Sequence, residues 1–320
     1  MQKETYEDKI LRKLTDKKKS DIVKKEDNNT MVAHYTTMEG FIGLLNSADV
    51  SNGEPMLKMW ASNIFALNDP TEFMYGYDII RKWLPKIESQ LKVRDEDKLS
   101  RIWKAYPYAK KNNTYYNKLL RDSLYNRDNS VYVLSFSHKT DDLQMFRLYS
   151  HNATGVCIEF SLGKVGETCS LNNVDYEAKT DDSIFLPYGR VKSNYRLYLN
   201  KLHERQLNDE AKFELMLTHL VAYIKINAPL IKKEEYKEEQ EIRYSNLYSL
   251  TDGIKKRKNK NGNTIPYKEV KIPLKAMKKV IIGPCADFNK SKNAIELKFK
   301  SMGISDIPLI VKSKNSYRNY

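Results

Sequence analysis

The stretch EEYKEEQEIRYSN, residues 234 to 246, places five glutamates and one arginine within ten positions. How it folds decides what the surrounding chain can be. As a helix it puts Glu235, Glu238 and Glu239 on a solvated face, with Lys237 and Glu241 in a weak i,i+4 pair. As a strand its side chains alternate, so Glu239 and Glu241 share a face and Arg243 follows on it. Two carboxylates on one face repel, which raises one pKa and leaves the other group ionised. One acid can then accept a proton while its neighbour positions a substrate. The β-favouring run IRYSNLY that follows argues that Glu241 already belongs to a strand.

Ahead of this stretch, residues 190–231 read as helical, with Phe213, Leu217, Leu220 and Ile224 recurring at the spacing of a core-facing stripe. Beyond it, two strand-like segments flank the basic loop KKRKNKNGN at 255–263, where Asn261-Gly262 signals a hairpin. VIIGP reads as a short strand. NKSKNAIELKFKSMG reads as a helix with Ile295, Phe299 and Met302 on one face and Gly303 as its stop, and IPLIVKS as a closing strand. Nearer the N-terminus, MVAHY is a buried strand that runs into the helix TTMEGFIGLLNS, where Thr36 and Glu39 have capping-box spacing. MLKMWASNIFAL is extended. NDPTEF opens a second helix, with Asp69 as cap, Pro70 in the first turn and Glu72 three residues after the cap. SVYVLSFS and TGVCIEFS are strands joined through a short helix, DDLQMFRLYS, and Val156, Ile158 and Phe160 share one face.

Residues 77–128 contain no glycine and are rich in Lys, Tyr and Trp, as suits a helical insertion. The pattern predicts an α+β fold: small mixed or antiparallel sheets forming a cleft, with helical insertions at about 77–128 and 190–231. We expect a single domain over 30–312, a charged N-terminal extension over 1–29 and a basic tail over 313–320.

Apolar residues make up 41% of the chain and charged residues 30%. No run approaches the roughly 20 apolar residues that span a bilayer, and the first 21 residues hold no apolar core of a secretory leader. We therefore expect no membrane partner and a cytoplasmic location. Cys157, Cys169 and Cys285 lack metal-ligand spacing and read as reduced thiols. The net charge of +14 attracts polyanions such as RNA or DNA, through Lys255, Lys256, Arg257, Lys258 and Lys260 above all, although solubility alone also accounts for such a charge.

Candidate chemistry is sparse. His34 ends a strand just before a helix N-terminus, which suits a ligand contact and equally a core histidine bonded to a carbonyl. NDPTE is accounted for by a helix start. The segment SFSHKTDDLQMFRLYS mixes hydroxyls, aromatics and an arginine, and lines a pocket or merely turns the chain. There is no phosphate loop, GxSxG elbow or HExxH, and no set of metal ligands.

In order, HYTTMEGFIGLL, NDPTE, VLSFS, DDLQMFRLYS, TGVCIEF, YKEEQEIR and VIIGP resemble the domain-of-unknown-function family numbered 2971, from about residue 32 to 285. Phe146 departs from the tryptophan often found there. A second resemblance concerns layout: His34-Tyr35-Thr36 ending the first strand, and Glu239-x-Glu241 opening a late one, are similar to ADP-ribosyltransferases. That resemblance implies NAD as substrate in a cleft between two small sheets. His34 would bond a ribose, Tyr75 or Phe146 would stack on nicotinamide, and Glu241 would accept a hydrogen bond from the nicotinamide ribose. Glu239 would orient or deprotonate the acceptor, and Arg243 would neutralise the pyrophosphate or hold Glu241. Tyr35, Thr36, Asn68, Asp69, Glu72, Ser135, Ser137, Arg147 and Tyr149 would complete the NAD site. The acceptor would be nucleic acid or protein and the role that of a toxin or phage-defence effector. The alternatives are a nucleic-acid-binding module without catalysis, and a metal-dependent nuclease using Glu159, Glu241 or Asp69, for which IELK at 295–298 has a suggestive spacing.

Overall fold

The computed structural model describes residues 29–51, 53–67, 69, 71–101, 124, 129–182, 186–203, 207–259 and 262–317. Its strands join one mixed sheet that forks near the middle. In chain order the elements are β1 (Met31–Thr36), α1 (Met38–Asn46), β2 (Met56–Asn63), α2 (Glu72–Gln90), β3 (Asn129–Ser137), α3 (Leu143–Tyr149) and β4 (Val156–Ser161). Then come α4 (Leu162–Gly166), β5 (Leu171–Asn173), α5 (Pro187–His203), α6 (Asp209–Asn227), β6 (Glu241–Ser249), β7 (Lys255–Lys258), β8 (Thr264–Pro273), β9 (Met277–Ile282), α7 (Phe288–Ser301) and β10 (Leu309–Lys312). The class is α+β, as the pattern predicts.

The strand order is β10-β9-β4-β1-β3-β2-β8-β7, with β6 paired to β3 and β5 to β6. Neighbours run antiparallel except β9 and β10. The fork lies at β3. One of its edges pairs with β6 along the whole strand, from Asn129↔Ser249 to Ser137↔Glu241. Its other edge is shared: β2 takes Tyr132 and Val133, and β1 touches only at Ala33↔Ser137. Leu134, Ser135 and Phe136 therefore face a notch where β1 and β2 splay apart.

Alternation decides which side chains each face receives. On one face Val32, Leu134, Phe136, Ile158, Phe160, Ile242 and Val280 pack under α1 and α7 through Phe41, Leu45, Ile295 and Phe299. Burying each such side chain contributes about 1.5–3 kcal/mol. The opposite face carries two separate covers. The helices α2, α5 and α6 cover Val131 and Val133, and α3 covers Tyr35 and Cys157 through Met145 and Phe146. Gly76 lets α2 lie against the turn Ala228–Leu230, because a Cβ there would collide with the Ala228 backbone. Between the two covers the sheet floor is polar, made by Ser135, Ser137, Glu241 and Arg243.

Most predicted elements are present, with local corrections. The α1 cap is Thr37, whose hydroxyl accepts from Gly40 N, not Thr36. Asp69 does not cap α2; it accepts from Thr71 N at 2.8 Å in a turn, and Thr71 precedes the helix. In α6, Leu220 and Ile224 are fully buried, with Phe213 and Leu217 packed beside them, as the helical stripe predicts. Gly303 ends α7 at φ +71°. Cys157, Cys169 and Cys285 are free, and burial pushes the Cys157 and Cys169 thiols up to about 12. The acidic stretch is neither a single helix nor a single strand. Glu234–Glu239 is a 3-10 helix, Gln240 is left-handed at φ 43° and ψ 51°, and β6 begins at Glu241. Glu239 therefore is not on the strand. Among the described residues no helix is long and apolar enough to cross a membrane. Residues 1–28 of the N-terminal extension, Asn68, Pro70, most of 102–128, Lys260, Asn261 and residues 318–320 lie outside the described residues.

Candidate active site

A cavity of about 300 Å³ opens over the polar floor. Its wall combines His34 and Tyr35 from β1, Ser135 and Ser137 from β3, Glu241 and Arg243 from β6, Tyr149 from α3, Glu72 from α2, and Asp69, Lys232 and Glu239 from the connections. Distant pieces of the chain thus meet here, because β3 lies beside β1 at one end and beside β6 throughout.

At its base is a charge network of three carboxyl groups and two cations. The Lys232 ammonium is 2.6 Å from Glu239 Oε2, 3.1 Å from Glu241 Oε2 and 3.8 Å from Glu72 Oε2. Arg243 donates from Nε to Glu241 Oε1 at 2.6 Å and from Nη2 to Glu241 Oε2 at 2.8 Å. Its Nη1 reaches Glu72 and, at 2.6 Å, Pro229 O. Burial opposes ionisation of Glu241, but Arg243 and Lys232 outweigh it and hold the carboxyl below its ordinary range. Burial likewise opposes both cations, yet the surrounding carboxylates raise Lys232 and Arg243 above theirs.

The two acids of the Glu-x-Glu pair differ in what remains available to a ligand. A carboxylate offers about four acceptor sites. Glu241 commits three to Arg243 and Lys232. Glu239 accepts one bond from Lys232 and one from the Tyr149 hydroxyl at 2.7 Å. Burial, together with the Glu239 carboxylate, keeps the Tyr149 phenol protonated, so it is the donor in that bond. Glu239 is the freer base. It is held from behind as well, since Ser137 Oγ donates to Glu239 O at 2.6 Å.

His34 stands in the notch of the sheet. Its Nδ1 lies 3.0 Å from Ser135 O. A carbonyl only accepts, so Nδ1 carries the proton. Burial holds the ring below its usual pKa despite that bond, so Nε2 of the neutral ring is an acceptor. Tyr35 is fixed by two bonds, donating to Lys139 O at 2.9 Å and accepting from Asp142 N at 3.0 Å.

Of the residues singled out from sequence, His34, Tyr35, Asp69, Glu72, Ser135, Ser137, Tyr149, Glu239, Glu241 and Arg243 line this cavity. Four others do not. Phe146 is fully buried, edge-on to Tyr35 at 5.1 Å, and cannot stack on a ligand. Tyr75 packs against the helical core. Arg147 is exposed and lies over the Tyr317 ring. Thr36 opens on a neighbouring hollow instead. Glu159 does not line the cavity, although it pairs in register with Ala33, which does; its carboxylate pairs with Lys279 at 2.7 Å, and Glu296 sits on α7. Among the described residues no group of three or more His, Cys, Asp or Glu could hold a metal ion; Lys232 occupies the centre of the carboxylates. The sequence reading missed Lys232 and Tyr236, whose ring lies 4.8 Å under the Lys232 ammonium. The available signal was the basic pair Lys232-Lys233 directly ahead of the acidic run.

No curated protein and no solved structure matches this chain. Residues 145–244, running from the α3 wall of the cavity to the middle of β6, match the model of the family described as protein of unknown function (DUF2971), the family its motifs resemble.

Proposed function

We propose that the cavity is the centre of an NAD-consuming glycosyl transfer, similar in layout to ADP-ribosyltransferases. The observation that carries this reading is the convergence of His34 with Glu239 and Glu241 on one hollow. In the step, the bond between C1′ and the nicotinamide nitrogen breaks, and the electron pair leaves with neutral nicotinamide. The ribose is left with oxocarbenium character. The network has one carboxyl group more than it has cations, so its field favours a cationic nicotinamide riboside and the charge that develops at C1′. His34 Nε2 accepts from a ribose hydroxyl. The acceptor attacks C1′ and its proton passes to Glu239, the carboxylate with the most free lone pairs. Glu241 acts mainly as a fixed negative charge. A volume of about 300 Å³ is at the low end for a ligand site and suits half a dinucleotide, with the rest extending to the open side. The acceptor is nucleic acid or protein, and a toxin or defence role is consistent with the chemistry.

The test is nicotinamide release from NAD by wild type, His34→Ala and Glu239→Gln, with thermal melting as the folding control. Loss of about 10²-fold or more in both variants, at near-native melting temperature, is expected. Equal release by all three proteins, or none by wild type, overturns the reading.

A further inference from the structure

A second hollow of about 610 Å³ adjoins the cavity and shares His34, Leu67 and Ser135 with it. It opens at the notch between β1 and β2, with α1 on one side through Thr37, Glu39 and Gly40, β2 on the other, and Arg257 reaching its rim from the edge strand β7. Register places Lys58, Trp60 and Ser62 of β2 on the same face as Lys271, Glu269 and Tyr267 of β8, and as Lys255 and Arg257 of β7. Trp60 is 42% exposed, and its ring lies 4.7 Å from that of Tyr267. The Arg257 guanidinium stacks 5.4 Å over Trp60 and donates to Ser62 Oγ at 3.1 Å.

Two facts single out Arg257. It is partly desolvated, which lowers its pKa, and among the described residues no carboxylate pairs with it. Its Nε is buried without a hydrogen-bond partner among the described residues. An unpaired cation in such a setting favours an anion. Arg243, by contrast, is fully engaged by carboxylates. The aromatic surface beside Arg257 adds a preference for a flat π system. Lys255 is paired with Glu269 at 2.8 Å, and Lys256 and Lys258 alternate to the other face of β7, so the further positive charge lies along the edge strand itself, outside the hollow.

We propose that this hollow and the adjoining edge bind single-stranded nucleic acid, with a base stacked on Trp60 and a phosphate on Arg257 and Lys58. Stacking is tolerant of base identity because every base has a π face, and backbone charge supplies a salt-dependent term. The shared wall at His34 and Ser135 would bring the bound strand beside the acid cavity, making it the acceptor. This last step rests on the glycosyl-transfer reading; the binding itself does not.

The test is titration of the full chain with a fluorescently labelled oligothymidylate decamer across a salt series, compared with Arg257→Gln, Trp60→Leu and Lys58→Ser. Melting curves check folding. Expected are decamer binding by wild type, weakening of about tenfold or more in Arg257→Gln and Trp60→Leu, and a log–log salt slope smaller by about 0.7 for each lost phosphate contact. Absence of binding, or affinity unchanged in all three variants, overturns the proposal. So does thymidine monophosphate binding as tightly as the decamer, or displacement of the decamer by ADP at equal concentration, because either would make the hollow a mononucleotide pocket. Nicotinamide release by wild type without oligonucleotide reports on the glycosyl-transfer reading alone, so the two readings fail separately.

Discussion

Two buried polar clusters lie under the helices, and they are built to different ends. The first is internal to the helical layer. Glu88 of α2 accepts from Ser100 N at 2.8 Å and from Tyr195 OH at 2.9 Å, and Tyr195 OH accepts from Leu99 N at 2.9 Å. Tyr198 donates to Asp97 O at 3.1 Å, while Arg94 and Lys212 pair with the Asp97 carboxylate. None of these residues lines either hollow. The second cluster, around Lys232 and Arg243, is as deeply placed but forms a cavity wall, with acceptors on Glu239 and His34 left for something else. The comparison teaches that a buried ionisable group is weak evidence for a site. Burial with unspent hydrogen-bonding capacity facing a cavity is stronger.

The largest expected effect comes from breaking the cavity network at its hub. Arg243→Met removes one of the two cations shared by the Glu72 and Glu241 carboxylates, leaving Lys232, and should lower stability by about 3–5 kcal/mol in urea unfolding. A loss below about 1 kcal/mol would show that the network is not one electrostatic unit. Next, Glu88→Gln unbalances the helical cluster and should lower stability by about 1–3 kcal/mol. Nicotinamide release per folded molecule should stay at the wild-type level; a parallel fall would erase the distinction between the two clusters.

The helical layer also predicts a pH dependence. His219 is fully buried, and desolvation, with a smaller contribution from Lys201, lowers its pKa to about 3. In the unfolded chain it titrates near 6.5. Its contribution to stability is therefore complete above about pH 6.5 and declines as pH falls toward about 3, where the unfolded state binds the extra proton. His34 is shifted in the same direction. The stability difference between wild type and His219→Phe should shrink steadily over that window in unfolding curves; a constant difference would mean that His219 does not titrate differently on folding. The smallest stability effect is expected from Tyr149→Phe, which removes a single bond to Glu239 and should change stability by less than about 1 kcal/mol. Nicotinamide release should nonetheless fall by about tenfold. A variant as active as wild type would remove the phenol from the site.

Strands and helices were legible where apolar spacing is local. Val156, Ile158 and Phe160 do share the face packed under α1 and α7, and the α6 stripe is buried. The fork was not legible, because it depends on β1 and β2 competing for one edge of β3 from 104 and about 70 positions away, as in Ala33↔Ser137 and Ser62↔Val133. Rotation within α3 was the other blind spot. Met145 and Tyr149 are four apart and share the face toward the cavity, whereas Phe146, one position along and about 100° around the helix, is driven into the core. Lys232 was hidden among 55 basic residues. Only the turn after Leu230 brings it back over the glutamates.

The left-handed link at Gln240 alters what the Glu-x-Glu spacing means for mutation. An alternating strand would welcome valine or isoleucine at the middle position. A residue at φ 43° does not, because branching at Cβ is poorly tolerated there, whereas glycine or asparagine fits. Length is constrained too: one residue added or removed at this hinge would swing the first acid away from the second. A library randomised at that single codon should therefore recover small, turn-forming residues and discard the β-branched ones, the reverse of what an ordinary strand would select.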